Sequence, residues 1–418
     1  MASVLAAHVI GARSLGIVGA ATTVATIAAL ATNGGINIAT VYFLGQRPAE
    51  AGRLVGWIAT MGGVASFLAA LVTLGFGLFL GEAFLGDVGP EVLLASAALA
   101  AGILGFELGG GVLLGLHERR MYIVIQVVEA IGSLVLTAAI LLLVSQTAAG
   151  FLIAAAAGYW LGLAVAAGGV YRRLGPIAIG VSRRFLSQAL GVGLRGQAGN
   201  LLQFLNLRLD LLLVPALLNL ASAGVYLVAV RISEVVTQVA SSAATFLFPH
   251  VAAQGLPLAT STTQRTVRIT LLIVVVTGLP LALAAEPILR LFFGPEFAGG
   301  ALTVRITLLA MLPLALVRLL AGDLKGRGRP GLVSIAALLA LVVTVVGDLV
   351  LIPMFGIAGA AIASLLSYSA SAALLLVAYR RVTGASILDL LPDRTDLSAI
   401  LRLIQRNQPR PDDGVRLP

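Results

Sequence analysis

The 418-residue chain is 59% hydrophobic and only 11% charged, with a mean hydropathy of +1.05; a soluble domain averages about 45–50% apolar and about 25% charged residues. These proportions exclude an ordinary soluble enzyme, and the lack of cysteine excludes disulfides, thiolate metal sites and thiol nucleophiles. The net charge of +9 comes from basic residues in short connections between apolar runs, which points to orientation in a membrane rather than to nucleic acid.

Residues 1–12 are apolar, but as a helix they reach only about 18 Å. No basic stretch precedes them, so a secretory signal is not expected; they read as the end of a first helix whose front is missing. Eleven full spans follow, at about 17–44, 54–80, 92–116, 122–144, 149–171, 186–212, 223–249, 268–285, 301–322, 332–352 and 357–379. Each is near the roughly 20 residues that cross a hydrocarbon core as a helix. Runs such as 134–144 lack the alternation of a barrel strand, and lipid then leaves only helices. In the tail, Leu397, Ile400, Leu401 and Ile404 recur at helical spacing beside Arg402 and Arg406; this segment reads equally as a helix on the inner leaflet or as a partly ordered end. Residues 407–418, rich in Pro, Asp and Arg, are expected to be disordered.

The connections alternate in charge. One set carries Arg47 and Arg53, Arg119 and Arg120, Arg172, Arg173, Arg183 and Arg184, Arg265 and Arg268, Lys325, Arg327 and Arg329, and Arg380 and Arg381, whereas the other offers only Arg13 and Arg290. The positive-inside rule makes the first set, and with it the C-terminus, cytoplasmic.

Two internal correspondences suggest a duplication. Val170-Tyr171-Arg172-Arg173 matches Ala378-Tyr379-Arg380-Arg381 at an offset of 208, and residues 19–43 align with 224–248 at 205, pairing Gly19 with Gly224 and Phe43 with Phe248. The expected fold is all-α: a polytopic membrane protein of about twelve helices in two six-helix lobes related by pseudo-two-fold symmetry, a transporter architecture. The lobes are 1–173, with an incomplete first helix, and 186–381; 174–185 is a cytoplasmic linker and 382–418 a cytoplasmic tail.

Ionisable residues at mid-helix cost about 2.5 to 3.5 kcal/mol each on insertion, so each needs a reason. The helix around Arg195 also carries Asn200, Gln203, Asn206 and Asp210 at three- and four-residue steps, as expected of a cavity wall. Thr22, Thr26, Asn33, Asn37 and Thr40 make a similar stripe in the first span, and Arg231, Glu234, Gln238, Ser241, Ser242 and Thr245 in the helix aligned with it. Substrate-binding candidates are therefore Arg195, Asn200, Gln203, Asn206, Arg231, Asn33 and Asn37. Arg195 leads them, because a guanidinium engages two phosphate oxygens at once and keeps its charge when partly desolvated. Glu107, Glu129, Glu234 and Asp348 are candidates for coupling a proton or sodium.

Structural readings compete. Arg231 and Glu234 are close enough to pair with each other, Arg208 beside Asp210 can snorkel, and Arg305 and Arg318 can reach headgroups. Gly191-Val192-Gly193-Leu194-Arg195-Gly196 fits GxGxxG but opens an apolar helix with no strand before it, so a nucleotide site is rejected. The pairs Gly105/Gly109 and Gly158/Gly162 read as close helix packing. His8, His117 and His250 are far apart in sequence and make no zinc motif, and there is no Walker A sequence; no metal, cofactor or ATP-driven cycle is expected.

Three segments carry a resemblance. Leu205-Asn206-Leu207-Arg208-Leu209-Asp210-Leu211, with Gly224-Val225-Tyr226-Leu227-Val228-Ala229 and Phe248-Pro249, resembles the seventh and eighth helices of polysaccharide-export flippases of the multidrug, oligosaccharidyl-lipid and polysaccharide exporter superfamily. Asp348-Leu349-Val350-Leu351-Ile352-Pro353-Met354-Phe355-Gly356, running on to Ala363, resembles their eleventh-to-twelfth helix connection, and Ala12-Arg13-Ser14-Leu15-Gly16 the segment after their first helix. In relatives the position of Asp348 is commonly Asn. The resemblance implies a non-enzymatic flippase in the cytoplasmic membrane that moves a polyprenyl-pyrophosphate-linked saccharide outward by alternating access, for cell-surface polysaccharide assembly. Its partners would be the lipid bilayer and the glycosyltransferases or polymerase of the pathway, with no nucleic acid. Rival readings are an exporter of cationic drugs from the same superfamily, for which aromatics at 6% are sparse, and a membrane-embedded polymerase or glycosyltransferase. The longest outward loop, near 80–91, offers such an enzyme only Glu82, Asp87 and Glu91.

Overall fold

A computed structural model describes residues 2–180, 182–253 and 256–391; at positions 2, 192, 195, 196, 198, 256 and 257 only the backbone is described. The described residues contain helices and no strand: α1 (Ala2–Asn33), α2 (Ile36–Gln46), α3 (Ala51–Leu85), α4 (Pro90–Gly115), α5 (Arg119–Leu143), α6 (Ala148–Leu174), α7 (Arg183–Arg208), α8 (Asp210–Leu217), α9 (Leu220–Ala253), α10 (Leu256–Leu283), α11 (Ala285–Phe292), α12 (Ala301–Gly326), α13 (Pro330–Phe355) and α14 (Ile357–Thr383). Among them, 11 helical stretches are long and apolar enough to cross a membrane, as many as the sequence predicts. The chain is a multi-pass membrane protein.

Helix ends follow local chemistry. Thr147 and Ser182 accept the backbone N–H groups of Gly150 and Phe185 at the starts of α6 and α7. Pro90 and Pro330 open α4 and α13, where a missing N–H costs nothing. The predicted span 17–44 is not continuous. It breaks at Asn33-Gly34-Gly35, where Gly34 and Gly35 take φ values of 54° and 83°, a left-handed conformation that glycine adopts without a Cβ clash.

The chain divides into two compact units. The first comprises Met1–Ala229, Glu286–Thr303 and Thr344–Ala360. Its glycine pairs are packing devices. Gly105 and Gly109 of α4 face Leu163 and Ala166 of α6, while Gly158 and Gly162 of α6 face Ser133 of α5 and Phe106 of α4. Gly16 and Gly224 make a reciprocal crossing: a Cβ on Gly16 would overlap the Leu220 carbonyl, and one on Gly224 the Ala12 carbonyl. This pairs positions 208 apart, and Asn219, 208 beyond the non-helical Gly11, lies at the junction of α8 and α9.

The second unit comprises Val230–Ala285, Val304–Val343 and Ala361–Pro418. Leu319, Leu320, Leu324, Leu375 and Tyr379 are fully buried in its core. Beside them, Asp323 of α12 is fully buried and bound by Arg327, Nε to Oδ2 at 2.7 Å and Nη2 to Oδ1 at 3.0 Å, and by the Thr263 hydroxyl at 2.6 Å. Arg327 also donates to Thr260 and stands over the Tyr379 ring. A short turn, Ile387–Leu390, docks on α10 through buried Leu390 and a Gln264 amide that donates to the Asp389 carboxylate at 3.1 Å. The predicted tail stripe, from Leu397 to Arg406, lies outside the described residues.

Candidate functional site

The break between α1 and α2 opens on a cavity of about 1050 Å³ within the first unit. Its polar wall is made largely of amides: Asn33 and Asn37 from either side of the break, Gln126 of α5, and Gln197, Asn200 and Gln203 of α7. Tyr42, Tyr122 and Tyr159 supply aromatic surface, and Glu107 of α4 is the one acid; no lysine or arginine lines it among the described side chains.

The break is held from several sides. A Cβ on Gly35 would overlap the backbone of Gly193 in α7, and the reverse is true of Gly193, so two glycines let the chains touch. The interruption leaves the last carbonyls of α1 without intrahelical donors, and Gln197 donates its side-chain N–H to the Leu30 carbonyl at 2.6 Å. Asn33, 1% exposed, accepts the Asn37 backbone N–H at 3.2 Å and points its own amide N–H at Glu107, 3.5 Å away. Asn37 Oδ1 is buried, lies against Gly111, one turn along α4 from Glu107, and has no hydrogen-bond partner among the described residues.

A second polar group in the same unit is closed. Asp210 accepts hydrogen bonds from the Tyr226 hydroxyl and the Leu211 backbone N–H, and the Thr344 hydroxyl donates to Asn206 Oδ1 at 2.8 Å. Asp348, one turn beyond Thr344 on α13, is fully buried, with no hydrogen-bond partner for either carboxylate oxygen among the described residues.

The candidate residues therefore separate. Asn33, Asn37, Asn200, Gln203 and Glu107 meet at the cavity. Asn206 sits with Thr344 at the closed group, because a stripe at three-residue steps drifts around a helix of 3.6 residues per turn. Arg195 lies in α7 two residues before Gln197, but its side chain lies outside the described residues. Glu129 of α5 accepts from Ser133 at 3.1 Å. Arg231 and Glu234, in the second unit, form a 3.5 Å ion pair that is partly exposed. Arg318 extends to the Ser241 hydroxyl and Arg305 to the Ala282 carbonyl. Sequence reading missed Gln126, Gln197 and the three tyrosines. A lone glutamine in the apolar run of α5 was the legible sign; nothing local marks the tyrosines.

No protein-family model matches the chain, and no curated protein matches its sequence. Solved structures do match. An inward closed form of the lipid II flippase MurJ aligns with a TM-score of 0.76 at 12% identity, over 98% of this chain and 91% of that one. An inward-facing multidrug resistance MATE family transporter of the MOP superfamily gives 0.75 at 14%, over 92% and 93%. A MOP superfamily transporter from Pyrococcus furiosus gives 0.62 at 15%, over 92% and 91%. The chain has the all-α fold shared by these transporters.

Proposed function

We propose that this protein is a transporter that flips a lipid-linked saccharide across the cytoplasmic membrane, for cell-surface polysaccharide assembly. The observation that carries the reading is the amide-and-tyrosine wall of the cavity. Each amide offers two donors and an acceptor with two lone pairs, a match for paired hydroxyls, and a tyrosine ring offers a flat surface for the apolar face of a sugar. Arg195, on the same helix α7, is the candidate for the phosphate, because a guanidinium engages two phosphate oxygens at once. The two halves, 1–173 and 186–381, are the lobes that alternate, the C-terminus is cytoplasmic, and the enzymes that build and polymerise the saccharide are the functional partners. Asp348, fully buried with no hydrogen-bond partner for either carboxylate oxygen among the described residues, is the candidate for energy coupling. The name of one similar structure, a lipid II flippase, agrees with a lipid-linked cargo.

Leaflet-resolved labelling of polyprenyl-linked saccharides, in cells with and without the protein and with Gln203→Leu, tests this. Accumulation of unflipped intermediate on the inner leaflet, reproduced by the substitution, is the expected outcome. A second reading rests on Glu107, the one charge on the described cavity wall, beside three tyrosine faces that suit a cation. Unchanged outward saccharide with new sensitivity to cationic dyes would make the protein a drug exporter instead.

A further inference from the structure

We infer that a second, smaller cavity of the first unit binds the headgroup of a zwitterionic phospholipid, its phosphate against Arg13 and its ammonium against Glu82. The cavity measures about 370 Å³, at the low end for small-molecule sites, and Arg13 stands about 30 Å along α1 from the break at Asn33. Three connections meet there: the non-helical Gly11, the turn at Gly86 that ends α3, and Asn219 between α8 and α9. They are fixed in place. A Cβ on Gly16 would overlap the Leu220 carbonyl and one on Gly86 would press on the Leu220 side chain, while the Glu296 carboxylate accepts the Ala12 backbone N–H at 3.0 Å. Arg13 and Glu82 border the same cavity, yet neither side chain has an ion-pair or hydrogen-bond partner among the described residues.

The wall offers both signs of charge. The Arg13 guanidinium can engage two phosphate oxygens at once. Asn219 accepts the Ser222 backbone N–H through Oδ1 at 2.8 Å, which leaves its amide N–H groups for an anion, and the start of α9 brings the positive end of that helix's dipole. Glu82 is the one acid of the wall among the described residues, and an ammonium has three N–H groups to donate to it. A lone anion would meet Glu82 and a lone cation Arg13; a headgroup that carries both charges satisfies both. The surface beside the cavity selects a lipid over a free zwitterion. Leu78 and Phe79, 72% and 88% exposed, precede Glu82 by four and three residues and so share its face of α3, inside a stretch apolar enough to cross a membrane. An acyl chain lying on them places its headgroup one turn further along, at Glu82.

The test is native mass spectrometry of the purified full chain in detergent, with phosphatidylethanolamine or phosphatidylglycerol added at equal concentration. The wild type is expected to retain phosphatidylethanolamine about three- to tenfold better, the range that exposed and half-shielded charge contacts allow. Glu82→Gln removes the preference by letting phosphatidylglycerol bind as well, and Arg13→Gln weakens both lipids. Arg290→Gln, at the other arginine of the sparsely charged connections, which is already paired with Glu286, keeps the wild-type preference. Glycerophosphoethanolamine, the headgroup without its chains, does not displace phosphatidylethanolamine at matched concentration. The inference is overturned if the wild type holds the two lipids equally, if Glu82→Gln keeps the preference, or if glycerophosphoethanolamine competes on equal terms, which would make the ligand a free zwitterion. Each of these leaves the saccharide reading standing, and failure of that reading leaves the lipid preference measurable.

Discussion

Two buried polar groups, one in each compact unit, are built in opposite ways. In the first, amides and a carboxylate line a cavity at a broken helix. In the second, Asp323, Arg327 and Thr263 close on one another with side-chain exposures of 5% or less for the ion pair. The contrast extends to single helices. Gly34 and Gly35 interrupt the first copy of the helix, but the positions 208 residues on, Ser242 and Ala243, lie inside an unbroken α9. The first lies beside a cavity, while the polar stripe of α9 is met by partners such as Arg318 and by the Arg231–Glu234 pair. A polar stripe in an apolar helix therefore says that something must satisfy it; the backbone decides whether that is protein or cargo.

Substitutions can break this contrast, the largest effect coming from the closed network. Asp323→Ala leaves Arg327 buried without its partner, and a loss of about 3–5 kcal/mol is expected, read as a lower unfolding midpoint of the detergent-purified protein. Next is the break itself. Gly35→Ala adds a Cβ at φ 83° that overlaps Gly193; left-handed strain of about 1–2 kcal/mol plus overpacking of about 1–3 kcal/mol is expected. Ser242→Ala, inside the unbroken α9, should stay within about 0.5 kcal/mol. If the two alanines behave alike in the same unfolding experiment, the helices are not differently built.

Smaller effects sharpen the helix crossing and the surface. Gly16→Ala and Gly224→Ala each press a Cβ on a carbonyl of the other helix, so matched losses of about 1–3 kcal/mol are expected; a loss at only one would argue against a reciprocal crossing. Arg231→Ala removes an ion pair whose side chains are 48% and 29% exposed, and a change of no more than about 1 kcal/mol is expected. Adding salt should shrink that difference further.

The all-helical fold, the number of spans and the packing role of Gly105, Gly109, Gly158 and Gly162 were legible in the sequence, because hydropathy and small-residue spacing are direct consequences of lipid and of close helix approach. The break was hidden because both α1 and α2 are apolar, so a hydropathy reading runs through it. Asn33-Gly34-Gly35 carried the signal, two consecutive turn dipeptides within a span. Half of the cavity wall was readable as stripes. The stripe through Asn206 and Asp210 turned out to leave the cavity, and Gln126, Tyr42, Tyr122 and Tyr159 joined it from helices with no stripe, since their meeting depends on how α2, α5 and α6 pack.

The most direct test of the central claim, that the first unit's cavity takes the polar head of the cargo, exploits the absence of cysteine in the chain. Single cysteines at Asn200, Gln203 and, for contrast, Ser242 of α9 are labelled with a maleimide in proteoliposomes, with and without a polyprenyl-linked saccharide. The expected result is that the saccharide lipid slows labelling at Asn200 and Gln203 and leaves Ser242 unchanged. Labelling at Asn200 and Gln203 that proceeds at the same rate with and without it would contradict the claim.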